Sequence, residues 1–536
     1  MTAATPRPPH HPPPVPRRWA AAATVCLGLF LLGMDLTILN VAVPNLHDDL
    51  HPTMAQVQWV VDAYPLILGG TVLATGSVTD RIGRRRAFTT GLVLCAAASG
   101  AGALSGDPVQ VIAARGGMGA GAALLMPATL SVIHHLFPEP ALRRRAIALW
   151  TAVGGLGGLS GPVIGGWLVE HFSWRAGFWI NLPLAATALV LALLVVPASR
   201  EPSGDPVDVT GALLSGAGLL VLVWAVIDSP AHGWTGRPVL IAYAAAGLLL
   251  AAFGARQAVA RHPMLPPDLL GRPSISMGAA ALALMSFALF GALFVTTLYL
   301  QGVLGLTPWQ AGVRTLPLPA GLAAGAALAL PMAARWGDKP PAVTGLAVVT
   351  VAFGILATTT PSSGYGHLLL FQAVAGAGAG LTAATATETV MSSVPTWRAG
   401  LGSAINDATR QVGSSLGVAV QGSVLATVYS DRLQERLREA GAADVLAPAT
   451  EGILSARTIA GRMPADTGHR LLAAATDSFV TGLTHTALAA GTVTLAATAA
   501  TAYWLPAAQD RPHRRTHETR RASGRADQEG RRRQEP

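Results

Sequence analysis

Long apolar runs alternate along this chain with short polar or charged breaks. Each run is about twenty residues, the length a helix needs to cross a bilayer. The runs fall at 19–43, 54–76, 87–105, 109–133, 146–169, 176–197, 209–227, 238–256, 275–300, 310–334, 342–360, 366–391, 401–427 and 476–505, which predicts fourteen spanning helices. They are uniformly Ala/Leu/Gly-rich and do not alternate with period two, so they do not read as strands of a membrane barrel. Between 428 and 475 lies the one long connection, expected on the exterior. Within it Asp431-Arg432-Leu433-Gln434-Glu435-Arg436-Leu437-Arg438 puts both leucines on one helical face, predicting a short amphipathic helix that ends near Gly441 and lies on the outer membrane surface.

Composition agrees with the pattern. Of 536 residues, 51% are hydrophobic and only 12% charged, about half the charge of an average soluble protein. A soluble globule is thereby excluded. Charge also sets an orientation. Arg81 to Arg86, Arg143 to Arg145, Arg200, Arg256, Arg261, Arg272, Arg335, Lys339 and Arg398 fall in alternate connections, whereas His47-Asp48-Asp49, Asp107 and 361–365 carry no Lys or Arg. Cationic connections stay on the cytoplasmic side during insertion, so the chain is expected in the cell membrane with both termini cytoplasmic. Trp19, Trp59, Trp174, Trp234, Trp309, Trp336, Trp397 and Trp504 sit near span ends, as interfacial tryptophans do.

The tails add charge rather than fold. Residues 1–18 lack the organisation of a cleavable signal, so the span from Trp19 is expected to be retained. Residues 507–536 form a basic tail expected to lie against the anionic inner leaflet. The net charge of +9 is accounted for by topology and tails, and no nucleic-acid partner is expected. Cys26 and Cys95 lie inside spans, so no exterior disulfide is expected.

Between spans two and three stands Gly76-Ser77-Val78-Thr79-Asp80-Arg81-Ile82-Gly83-Arg84-Arg85-Arg86, a tight hinge of about ten residues in which Gly76 and Gly83 would permit the turns. A loop that only set topology would need the arginines but not Asp80. Span five carries Gly154-Gly155-Leu156-Gly157-Gly158-Leu159-Ser160-Gly161-Pro162-Val163-Ile164-Gly165-Gly166. Its four-residue spacings strip one helix face for close packing, and Pro162 adds a kink. The first string resembles the signature loop of the major facilitator superfamily, Gly-x-x-x-Asp-Arg-x-Gly-Arg-Arg, and the second resembles its antiporter motif. The resemblance implies a gating role for Gly76, Asp80, Arg81, Gly83 and Arg84, and a hinge role for Gly154, Gly157, Gly158, Gly161, Pro162, Gly165 and Gly166.

The chain also repeats itself. Ala334-Arg335-Trp336-Gly337-Asp338-Lys339 echoes the hinge before span eleven, and Arg145-Ala146 is echoed by Arg398-Ala399. Two parallel six-helix halves with a site between them are a known transporter design. The expected organisation is a six-helix bundle at 19–199, a two-helix insertion at 200–272 and a second bundle at 273–506. This all-α, fourteen-helix plan resembles the fourteen-span drug:proton antiporter branch of that superfamily.

Ionisable residues inside spans are costly and mark function by default. Asp35, within Met34-Asp35-Leu36-Thr37-Ile38-Leu39-Asn40, is expected to carry protons or meet a cationic substrate, with a structural hydrogen-bonder as the alternative. Arg115 resembles the buried arginine of the family's fourth helix, and is read as a coupling residue or a structural ion-pair partner. Aligning Gly119-Ala120-Gly121 with Gly378-Ala379-Gly380 places Val374 opposite it in the second half. Glu388 is expected to face substrate. Asp407 either does the same or pairs with Arg410, three residues on. Asp62 is expected to be interfacial, and Phe287, Phe290 and Phe294 to pack in the core or against lipid.

Catalytic chemistry finds no support. The sole lysine, Lys339, stands between Asp338 and Pro340, so no P-loop exists. No Cys/His cluster suggests a metal, and His134-His135 reads as interfacial polarity. The resemblance implies proton-coupled export of amphipathic organic compounds such as drugs by a monomer in lipid, without cofactor or enzymatic step. Proton-coupled uptake of a small metabolite shares the fold and is the alternative; a non-transporting sensor on the same scaffold is a third.

Overall fold

The computed structural model describes residues 15–198, 207–395, 399–440 and 446–506, with the side chains of Asp80, Pro140, Arg144 and Ala399 also outside the description. The expectations for most of both tails, and for Arg200, Trp397 and Arg398, lie outside the described residues. The described chain is helical throughout. The first half comprises α1 (Val15–Leu50), α2 (Met54–Ile82), α3 (Arg84–Ala103), α4 (Pro108–Leu136), α5 (Pro140–His171) and a sixth crossing broken into α6 (Ala176–Trp179) and α7 (Asn181–Val195). Then come α8 (Val209–His232), α9 (Arg237–Val259) and the short α10 (Pro267–Leu270). The second half comprises α11 (Pro273–Leu298), α12 (Pro308–Arg314), α13 (Pro317–Trp336), α14 (Lys339–Ala357), α15 (Tyr365–Ser393), α16 (Ala399–Glu439), α17 (Ile453–Ala460) and α18 (Ala465–Trp504).

Among the described residues, thirteen segments are long and apolar enough to cross a membrane, with α6–α7 and α12–α13 each forming one. α3 is the remaining crossing in order. It is less apolar because it opens on Arg84-Arg85-Arg86 and continues in Ala, Gly and Ser, yet Phe88, Leu92 and Cys95 are fully buried along it. The arrangement is consistent with fourteen crossings. Two cores result, one built mainly by α1–α7 around Phe88, Phe137 and Phe178, the other mainly by α11–α18 around Phe294, Phe353 and Phe479. Phe287 and Phe294 pack in the second core, with Phe290 against it.

The hinge is shorter than its sequence suggests. Gly76 lies within α2, with nothing within 4 Å of the place a side chain would occupy, and the helix runs on to Ile82. Only Gly83 turns, at φ 98°, where its N–H still donates to Thr79 O at 3.1 Å. A left-handed φ is the reason glycine is needed there. Gly337 repeats this between α13 and α14, at φ 82° with its N–H on Ala333 O.

The 428–475 connection is also corrected. The predicted surface helix is the last stretch of α16, because nothing interrupts the helix after Tyr429 and its apolar stripe has a core to join: Leu433 is 0% and Leu437 5% exposed. α18 begins at Ala465, and Arg436 pairs with Asp477 across the two helices. Of the residues between them, the described ones form a 3-10 turn (Ala447–Glu451) and α17.

In the two-helix insertion, Asp208 caps α8 by accepting from Gly211 N at 3.0 Å, from Gln257 Nε2 at 2.9 Å and from Arg256 Nε at 3.2 Å. Burial pushes this carboxyl up, but the bonds from Gly211, Gln257 and Arg256 outweigh it and hold the group below the usual carboxylate range. Gln257 Oε1 then accepts from Leu265 N, tying α9 to the chain that leads into the second half.

Candidate functional site

α1 and α5 pack closely because glycines remove what would separate them. A Cβ on Gly157 would lie 2.5 Å from Phe30 O, one on Gly165 2.7 Å from Ile38 Cγ1, and one on Gly154 2.9 Å from Leu29 Cδ2; Gly161 is tighter still against Thr37 and Met34. Thr37 Oγ1 donates to Gly158 O at 3.0 Å across the same contact. The glycine string has two faces rather than the one expected. A Cβ on Gly166 would lie 2.5 Å from Pro308 O, and Pro162 abuts Gly312, both on α12 of the other half. Gly158 has room, since a Cβ there would come no closer than 3.9 Å to Gly33 O of α1.

Behind that contact lies a sealed polar cluster inside the first half. Asp35 on α1 is 1% exposed and pairs through Oδ2 with Arg115 Nη1 of α4 at 2.7 Å. Asn181, at the start of α7, donates from Nδ2 to Asp35 Oδ1 at 2.9 Å and to Ser99 Oγ at 3.0 Å, and Ser99 donates to Phe178 O. Arg115 Nε donates to Val60 O at 3.1 Å, Nη1 also reaches Asp35 O, and the guanidinium carbon lies 4.6 Å from the Tyr64 ring centroid. α1, α2, α4 and α7 are thus joined through one buried ion pair. Moving a proton onto Asp35 would cancel half of that pair and leave a buried cation with only carbonyl and aromatic partners, so the cluster can convert proton occupancy into helix position.

Of the predicted charged residues, Asp35 and Arg115 come together, while Glu388 and Asp407 stand in the other half. Glu388 is exposed on α15. Asp407 is buried on α16 with a hydrogen bond to Ser403, in the stretch that faces Gly69 of α2. Arg81 is exposed after the end of the apolar part of α2, and the Asp80 side chain lies outside the described residues. Asn181, Ser99 and Tyr64 belong to the cluster without having been singled out. A lone amide in the apolar run of span six was a signal for Asn181; nothing in sequence distinguishes Ser99 from other helix serines.

Gln372 and its surroundings show how the second half differs, and the geometry revises which residue stands opposite Arg115. A Cβ on Gly91, eight residues beyond Gly83, would lie 2.8 Å from Gly121 O; one on Gly345, eight beyond Gly337, would lie 2.5 Å from Gly378 O. Gly121 therefore matches Gly378, and Arg115 matches Gln372 rather than Val374. The glycine pattern alone aligned the strings two residues out of register. Gln372 is 1% exposed, and neither of its side-chain polar atoms has a hydrogen-bond partner.

One end of the seam between the halves is closed. There Gln301 Nε2 donates to Val41 O, and residues 299–303 form a π-turn whose freed carbonyls at Gln301 and Gly302 both accept from Arg457 of α17. From α1, His47 Nε2 contacts Ser455 Oγ at 3.0 Å and Asp48 accepts from Thr458. α17 thus spans from the second half onto the first.

The family profile described as Major Facilitator Superfamily matches residues 25–418. The chain is 32% identical to the tetracenomycin C resistance and export protein of Streptomyces glaucescens, over 90% of this chain and 91% of that one. It is 33% identical to the multidrug efflux pump LfrA of Mycolicibacterium smegmatis, over 90% and 95%. In fold it resembles an inward-facing, unoccupied bacterial homologue of the human lysosomal transporter Spinster, with a TM-score of 0.60 at 18% identity over 91% of this chain and 98% of that structure.

Proposed function

The chain belongs to the Major Facilitator Superfamily and is a multi-span membrane transporter rather than an enzyme; we propose that it exports amphipathic organic compounds, such as drugs or antibiotics, in exchange for protons. The observation that carries this reading is the sealed Asp35–Arg115 pair, in a chain similar over nine tenths of its length to relatives named for export and efflux. The protein works as a monomer in lipid. Its arginine-rich connections face the cytoplasm and α17 caps the exterior end.

Asp35 is walled off within the first half, so substrate and proton compete through helix position rather than for one carboxylate. Protonation of Asp35 loosens the tie among α1, α2, α4 and α7, and deprotonation restores it. The two halves rock about the α5–α12 contact at Gly166 and Pro162, with the Gly83 turn gating the cytoplasmic end. Glu388 and Asp407 supply charge on the second half for the substrate. Each pH unit across the membrane drives about 1.4 kcal/mol per proton. Each net charge moved through 100 mV adds about 2.3 kcal/mol.

Expression in an efflux-deficient host is expected to raise the inhibitory concentration of at least one compound in a panel of antibiotics, dyes and organic cations. A proton ionophore should abolish that gain. In everted vesicles the same compound should dissipate a preformed pH gradient. Accumulation of solute in intact cells, with no compound exported, would instead establish uptake.

A further inference from the structure

The two flanks of the seam between the halves are built from different chemistry. On one flank α5 meets α12 through glycine and proline backbone, Gly166 on Pro308 and Gly312 on Pro162. On the other flank α2 meets α16. Gln58, Asp62 and Gly69 follow one another on a single stripe of α2, in steps of four and seven residues. Gln58 reaches Gly422 and bonds Ser423, while Gly69 abuts Ala408, Gln411 and Val412. Asp62, between them, therefore faces α16 between Val412 and Gly422, the stretch that includes Ser415 and Ala419.

The sequence placed Asp62 at the membrane interface, and the structure overturns that. Asp62 is 0% exposed, and neither carboxylate oxygen has a hydrogen-bond partner. Ser415 is likewise 0% exposed with its hydroxyl unpartnered. The ionisable groups on the helices packed around α2 are engaged or placed elsewhere. On α4, Arg115 is held by Asp35 of α1 and by Val60 O. On α8, Asp228 pairs with His232. On α16, Asp407 and Arg410 stand nearer Gly69. Arg84, Arg85 and Arg86 of α3 lie beyond the far end of α2, and Tyr64 on α2 itself donates to Leu32 O.

A bare carboxylate closed off from water and from every donor is strongly disfavoured, whereas the neutral acid is tolerated in the same place. Full burial leaves no space there for an organic cation, so the occupant is a proton. We propose that Asp62 is a second proton-carrying site of the transport cycle: its carboxylate takes one proton from water on one side of the membrane before the α2–α16 flank closes, and releases it to water on the other side when the flank parts from its opposite end. The proposal rests on the proton-driven reading above. It adds a site on the seam itself, where separation of the halves directly controls access to water.

The test uses the full-length protein in lipid nanodiscs and proteoliposomes. At neutral pH the infrared C=O stretch of a protonated carboxylic acid is expected in the wild type. Asp62→Asn should remove one such band, while Asp35→Asn should leave it in place. An unchanged spectrum in Asp62→Asn overturns the proposal. Should that variant fail to fold, Asp62→Glu is expected to shift the band, and an unshifted band is equally contrary. In proteoliposomes, the proton-to-substrate ratio for ethidium, or for another panel compound that the wild type moves, should fall by one in Asp62→Asn. Loss of the band with an unchanged ratio would mean a static proton and would overturn the carrying role. If the wild type moves none of the compounds, the export reading fails, while the infrared result still decides whether Asp62 holds a proton.

Discussion

Asp35 and Arg115 depend on each other more than on anything around them. Both are about 1% exposed, and each neutralises a charge that would otherwise be stranded. Removing one partner of such a buried pair costs about 3–5 kcal/mol, because the other is left uncompensated. Asp35→Asn is therefore expected to lower the melting temperature of the purified protein and to stop proton-driven export. Adding Arg115→Gln should recover much of the stability, since the orphan cation is gone, but none of the export. A double variant that still concentrates substrate would place coupling outside this cluster. At this scale the sequence located the two charged residues, because an ionised group in an apolar run is conspicuous. It did not reveal Asn181 and Ser99, which are neutral, nor the depth of Asp62. Distance from a span end describes position along the helix axis, but burial also depends on which neighbour covers that side.

Among the helices, the glycine string of α5 acts through two separate contacts, which makes its positions distinguishable. Gly157→Ala would bring a methyl group within 2.5 Å of Phe30 O inside the first half. That variant is expected to lose thermal stability and transport together. Gly166→Ala meets Pro308 across the seam, so it should insert and melt as the wild type does while export falls. Gly158→Ala, with its nearest neighbour at 3.9 Å, should be close to neutral in both. Equal effects of all three on export and melting would remove the distinction between fold contact and seam contact. The string was legible in sequence as a close-packing device. Its division between two partners was not, because four-residue spacing shows that a face is bare without showing what lies against it.

In the whole molecule, α17 joins the two halves at one end of the seam, so transport that opens this end must separate it from α1. His47→Cys with Ser455→Cys would place two thiols where an Nε2–Oγ contact of 3.0 Å now stands. The native thiols, Cys26 and Cys95, are buried and do not interfere. Oxidation of the double variant is expected to stop export, and a reductant to restore it; each single variant should ignore both treatments. Full activity in the oxidised, cross-linked protein would mean that this end never opens.

Hydrophobic run length, arginine placement and the repeated glycine turns were enough to specify the membrane class, the order of crossings and the family resemblance, because bilayer thickness and insertion act on local composition. The charged pair could be nominated for the same reason. The hinge shrank to Gly83 because helix propagation through 77–82 has no local breaker, and the supposed surface helix joined α16 because a core was waiting for Leu433 and Leu437. The register that sets Gln372 opposite Arg115, the two partners of the α5 glycines and the burial of Asp62 all depend on contacts between residues far apart in the chain. Such contacts leave no periodic trace in the sequence, since they are fixed by which helix faces meet once the bundles pack.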